Sequence, residues 1–157
     1  MAEWYLGSGE EVFDREPSHI HAGVTPELLS ESLAQVWPDE VRVKRTVDFG
    51  HIIGASNCVK TREEDEIIYA QRLHRPGLSR FVKNRKPEPT SLLTLTVRRM
   101  PEGWYELRTA YIGGPGCVEP WAAQERLQEA IEFWGSHALV WGSEPTIPGT
   151  ETTACPW

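Results

Sequence analysis

An α+β fold, with a central mostly antiparallel sheet, one helix before it and one after, is the class that this 157-residue sequence predicts. Three observations carry it. Ser91 to Gly113 holds two strand-like runs around a turn. Thr25-Pro26-Glu27 opens a stretch with helical apolar spacing, and a second such stretch spans Ala122 to His137, with short strand-like runs between the two.

In chain order, residues 1–24 show no sustained periodicity and read as an irregular lead-in or short strand anchored by Trp4, Tyr5, Leu6, Val12 and Phe13. Thr25 is a good N-cap, Pro26 suits the first helical position, and Glu27 sits near the positive end of the helix dipole. Leu28, Leu29, Ser32, Leu33 and Val36 keep helical spacing as far as Trp37, where Pro38 stops the helix. Val41, Val43, Val47 and Phe49 alternate with polar residues as a strand, with Arg45 on the apolar side. Arg62 to Glu66 is a charged turn, Glu66 to Ala70 a short strand, and Ser79 to Val82 a brief ordered piece.

In the central hairpin, Leu93, Leu95 and Val97 alternate with Thr94, Thr96 and Arg98, and Pro101 and Gly103 supply the turn. Thr109 and Tyr111 share one face of its second strand. Gly113 to Gly116 is a loop. Leu127, Ala130, Ile131, Trp134 and Ala138 make the apolar face of the later helix, with His137 at its C-terminal end. Residues 142–157, with three prolines, read as an extended tail, and no separate second domain is visible within 1–157.

No apolar run approaches the roughly 20 residues of a membrane span, and the N-terminus lacks signal-peptide character, so a cytoplasmic protein without membrane partners is expected. Cys58, Cys117 and Cys155 are three widely spaced thiols without a Cys-x-x-Cys, which fits free cysteines rather than a disulfide framework or zinc cage. His19 and His21 fall on one face if extended, but no third ligand stands at a recognisable spacing. Neither a metal nor a cofactor is expected.

Formal net charge is −7, unevenly spread. Residues 1–41 carry one basic against nine acidic residues, and residues 42–86 eleven against five. Arg72, Arg75, Arg80, Lys83, Arg85 and Lys86 form a stripe with no acid inside it. A basic stripe on an acidic protein is a candidate anion site, for RNA phosphates or for an acidic protein partner.

Metal-free RNA cleavage needs a base for the 2′-hydroxyl, cations around the phosphate, and donors for the oxygens that gain charge. His51 supplies a base, bracketed by Gly50 and Gly54; Lys60, Arg62 or Arg80 supply cations; Thr109 and Tyr111 supply hydroxyls. Each has an ordinary structural role as well: a hydrogen-bonded histidine, a strand threonine, a half-buried tyrosine.

On these residues the run from His51 through Gly113 resembles the barnase/EndoU/colicin/RelE group of small bacterial ribonuclease toxins, including phage-borne and RNase A-like contact-dependent inhibition toxins. The points of similarity are a His after a strand and a basic residue about ten positions on. Asp-Glu-Ile-Ile-Tyr, Ser-Arg-Phe-Val, Leu-Thr-Leu-x-Val and a closing Leu-x-Thr-Ala-Tyr follow. The resemblance implies a catalytic set of His51, Lys60 or Arg62, Thr109 and Tyr111, and a cognate protein inhibitor. His19-x-His21 before the Thr25-Pro26 helix also resembles the opening of the RNase A-like members, where the catalytic His precedes a helix; His21 therefore competes with His51. The chain is acidic where those toxins are basic. The segment from Glu119 to Leu139 lies outside their pattern and resembles conserved hypothetical bacterial proteins.

The leading expectation is a metal-independent endoribonuclease forming a 2′,3′-cyclic phosphate, with His51 as base, Lys60 and Arg80 on phosphate, and Thr109 and Tyr111 stabilising the transition state. A non-enzymatic adaptor using the 72–86 stripe is the second. An ADP-ribosyl transferase is the third, disfavoured because the glycines form no phosphate loop.

Overall fold

A computed structural model describes residues 4–15 and 19–157. In chain order the elements are β1 (Trp4–Tyr5), β2 (Glu11–Phe13), α1 (Pro26–Leu33), β3 (Arg42–Asp48), β4 (Gly54–Ser56), β5 (Cys58–Lys60), β6 (Ile67–Gln71), β7 (Leu78–Val82), β8 (Glu88–Thr90), β9 (Leu92–Arg99), β10 (Tyr105–Ile112), α2 (Leu127–Ser136) and β11 (His137–Val140). The α+β class holds, with one helix early and one late. The strands form more than one sheet, and parallel pairs β2–β10 and β7–β11 accompany the antiparallel ones.

The chain folds as two compact units, each assembled from two separate segments: residues 1–55 with 89–115, and residues 56–88 with 116–157. Interleaving of this kind leaves no linker for the sequence to display.

The first unit is built on a five-stranded sheet in the order β1-β2-β10-β9-β3. The expected hairpin is β9 and β10. Its turn closes through Gly103 N–H donating to Met100 O at 2.9 Å, with Pro101 in between and Gly103 at φ +98°, a conformation that favours glycine. One face is apolar except for Arg45, which lies opposite Leu95: Val43, Leu93, Leu95, Val97, Leu107, Ala110 and Ile112 are buried, packed with Leu29 and Leu33 of α1, and Val47 is buried too. Burying each of those leucines contributes about 1.5–3 kcal/mol.

Helix α1 begins as expected, with the Thr25 hydroxyl accepting from Leu28 N–H. It ends at Leu33 instead of running to Trp37. Gly7 packs against this end. Its N–H donates to Val36 O at 3.0 Å, and a Cβ there would lie 2.5 Å from Ala34 O and 2.6 Å from the Trp37 indole nitrogen. The chain after Leu33 is held in tight i→i+3 turns against that glycine, with Val36 still buried.

The second unit holds a four-stranded sheet, β5-β11-β7-β6. Val59, Val82, Ala138 and Val140 form its core cluster, and Phe81 is fully buried. The residues after 142 are stitched to β6: Tyr69 and Thr152 exchange backbone hydrogen bonds of 2.8 Å each, and Ile147 N–H donates to Gln71 O at 2.8 Å.

The later helix is shorter than its apolar spacing suggests. Pro120–Ala122 and Gln124–Arg126 are 3-10 turns, and Gln124 sits at φ +48°, so regular α-helix starts only at Leu127. Leu127, expected on the buried face, is 44% exposed. The helix ends at Ser136, and His137 is extended and opens β11, which places Ala138 in a strand core. His137 Nδ1 nevertheless lies 3.0 Å from the carbonyl of Phe133, so the ring still serves the helix end, stacked 4.1 Å from the Phe133 ring.

Candidate active site

The sheet of the first unit has a second face, and it is polar. Register aligns its residues in rows, because directly paired residues project to the same side. One row runs Thr46, Thr94, Tyr111; the next Lys44, Thr96, Thr109; the next Arg42, Arg98, Glu106, Phe13. Arg42, Lys44 and Thr46 on the flanking strand β3 are exposed, as is Arg98 near the end of β9, while Thr94 and Thr96 of β9 are buried. Thr94 is satisfied locally, its hydroxyl donating to Gly113 O at 2.8 Å and lying 2.8 Å from the Thr46 hydroxyl.

Thr109 and Tyr111 therefore do share a face. A β-bulge between Leu107 and Thr109 leaves Arg108 without a partner on β9. The chain at 19–21 makes use of the far edge of β10 here. Ile20 bridges Ala110 in parallel and packs on the apolar cluster, and His21 N–H donates to Ala110 O at 2.9 Å. With Ile20 turned to the core, the His21 ring stands on the polar side against Tyr111. His19 Nδ1 is hydrogen-bonded to the Arg108 carbonyl, which makes Nε2 the basic nitrogen of the neutral ring. The His21 ring lies 5.8 Å from the Tyr111 ring, centroid to centroid, tilted by 50°.

His51 sits elsewhere on this unit. It follows a turn at Gly50 (φ +75°) whose N–H is accepted by Asp48 Oδ1 at 2.9 Å. Its exposed ring stands edge-on to Phe49 at 6.3 Å, and Phe49 packs on the apolar side of the sheet. The imidazole beside Tyr111 is that of His21.

Lys60 and Arg80 belong to the second unit. Lys60 is exposed and lies opposite His137 across the β5–β11 pair. Arg80 is half-buried and donates to the Thr61 hydroxyl at 3.1 Å and to His137 O at 3.0 Å. The stripe around it is largely occupied. Arg72 is ion-paired with the buried Glu119 and, at 3.0 Å, with Glu144, and its Nε donates to Ser79 at 3.0 Å. Arg85 pairs with Asp65 at 3.0 Å and with Glu88. Lys83 stands 5.6 Å over the Trp141 ring. Arg75 and Lys86 remain as exposed stripe cations.

Among the described residues, no three His, Cys, Asp or Glu converge as metal ligands, and no helix is long and apolar enough to cross a membrane. Cys58, half-buried, has its thiol pushed up to about 11 by desolvation first and by the Glu119 charge second.

No protein-family model matches the chain, and neither the curated proteins nor the solved structures include one that matches it.

Sequence reasoning passed over Lys44, Arg42 and Arg98 because each looked like the solvated half of an amphipathic strand. The readable signal was their period of two opposite a valine face.

Proposed function

We propose that the polar sheet face of the first unit is the centre of a metal-independent endoribonuclease of toxin type, with His21 rather than His51 as its general base. The observation that carries this reading is the His21 ring held against Tyr111 on a face that also bears Thr109 and Lys44. His21 takes the proton of a ribose 2′-hydroxyl, and the freed oxygen attacks phosphorus. The 5′-oxygen leaves, and a 2′,3′-cyclic phosphate forms. His19, two positions along the chain and entering the step as the imidazolium, gives a proton from Nε2 to the leaving oxygen. Lys44 holds the phosphate charge, and Thr109 and Tyr111 donate hydrogen bonds to the phosphoryl oxygens as negative charge grows there. Every role is filled from one unit, so Lys60 and Arg80 are not required.

Cleavage of a short RNA in EDTA tests this. His21→Ala or Tyr111→Phe should cut the rate by about 10² or more, the usual loss on removing an acid–base partner, and an all-deoxy substrate should survive. Cleavage retained in His21→Ala, or none by the native protein on any RNA, contradicts it. The adaptor reading is weakened by the internal ion pairs of Arg72 and Arg85.

A further inference from the structure

We propose that the cleft lined by Phe13 and Trp104, with the arginines beside it, is a nucleotide subsite that holds single-stranded RNA by stacking one base and gripping its phosphate. The choice of RNA rests on the ribonuclease reading above. The cleft itself stands on separate observations.

Glu11, Phe13, Arg15 and Trp104 line a depression of about 380 Å³, within the size range of small-ligand sites. Phe13 and Trp104 meet edge to face at 5.3 Å, both partly exposed, and the Arg15 guanidinium stands 6.0 Å from the Trp104 centroid. Phe13 is paired with Glu106, so this cleft opens on the same sheet face as His21 and Tyr111.

The charge around it is what selects the ligand. Glu106 is the one carboxylate in its row, and it is shared: Arg108 donates to it at 2.8 Å and Arg15 lies 3.7 Å away. Beyond it, Arg98 and Arg42 are directly opposed across β9 and β3, both exposed, and neither has an ion-pair partner among the described residues. Like charges directly opposite each other destabilise a sheet. Three guanidiniums, Arg108, Arg15 and Arg98, act on Glu106, with Arg42 facing Arg98, and this excess of cations beside an aromatic wall is complementary to an anion attached to a flat ring. Glu11, which also lines the cleft, suits an amino or hydroxyl edge rather than phosphate.

Position fixes the substrate class further. Arg98 and Thr94 are four residues apart on one strand, so the guanidinium row and the Tyr111 row are about 14 Å apart. A dinucleotide in the reacting position falls short of the cleft. A hexanucleotide reaches it.

The probe is a 5′-fluorescein hexauridylate, with 2′-deoxy residues to prevent turnover, read by anisotropy at several salt concentrations on the full chain. Trp104→Ala should weaken binding by about 5- to 150-fold, the range for loss of one stacked base, and Trp104→Phe should restore most of it. Arg98→Ala should reduce the salt slope by about one contact. Cleavage of the dinucleotide should be unchanged in all three variants, while KM for an unmodified hexanucleotide rises.

Equal binding by Trp104→Ala and the native protein overturns the subsite. So does a native protein that binds no oligonucleotide and instead takes up a protein on this face. Tight, Trp104-dependent binding without cleavage upholds the subsite and overturns only the nuclease reading. Cleavage that ignores Trp104 at every length does the reverse.

Discussion

The imidazole of His21 meets the ring of Tyr111 at 5.8 Å although the two residues are ninety positions apart, and neither belongs to the other's strand pairing. The contact is arranged by the residue between the histidines. Ile20 is drawn to the apolar cluster and bridges Ala110, and His21 beside it turns to the opposite face. Hydrophobic burial in the chain thus positions a titratable group on the open side of the sheet.

The facing pair Arg42 and Arg98 is expected to cost stability. Arg42→Gln should leave the unfolding midpoint unchanged or raise stability by about 0.2–1 kcal/mol, while lowering affinity for single-stranded RNA. A denaturant titration beside a binding curve checks both; a clear loss of stability means that the arginine is structural.

Arg72 is expected to be the costliest surface-to-core cation to remove. Arg72→Ala leaves Glu119 buried without its partner, a loss of about 3–5 kcal/mol, whereas Arg72→Met with Glu119→Leu should recover most of it. Urea unfolding of the single and double variants separates the two.

Much of this was legible in the sequence, and the reasons are local. Alternation in Leu93–Val97, the Pro101–Gly103 turn and the Thr25 cap each act within a few residues, so the hairpin, the helix start and the shared face of Thr109 and Tyr111 follow directly. What lay outside reach depends on distant partners. Glu119 and Glu144 neutralise Arg72 from more than forty residues away, and Asp65 pairs with Arg85 from twenty, so two of the six stripe cations are internal ion pairs. Strand register decides that Arg42 faces Arg98, and the bulge at Arg108 decides which carbonyl His19 finds. Gly7 packs against the end of α1 from far off in sequence, a contact that no local pattern displays.

Stability should fall in alkali through Cys58. Its thiol ionises near 9.0 when unexposed to the fold and at about 11 within it. Below about pH 9 both states are protonated and nothing is lost. Between about 9 and 11 the unfolded chain releases its proton first, so stability declines with rising pH. Tyr69, also pushed up by burial, adds to the decline at higher pH. Melting temperatures between pH 8 and 10.5 should fall less steeply in Cys58→Ala than in the native protein; equal slopes contradict the assignment.

Two glycines should respond oppositely to alanine. A Cβ at Gly77 would lie 2.3 Å from the Trp121 ring, so Gly77→Ala should destabilise by about 1–3 kcal/mol. Nothing lies within 4 Å of a Cβ at Gly135 in α2, and Gly135→Ala should stabilise by up to about 1 kcal/mol through helix propensity. Thermal melts of the two variants give the comparison.

The most direct measurement is the cleavage rate of one RNA oligonucleotide in EDTA by His21→Ala and His51→Ala, both checked for native melting. The expected result is a drop of about 10² or more for His21→Ala and a near-native rate for His51→Ala. A near-native rate for His21→Ala contradicts the account, whatever His51→Ala does.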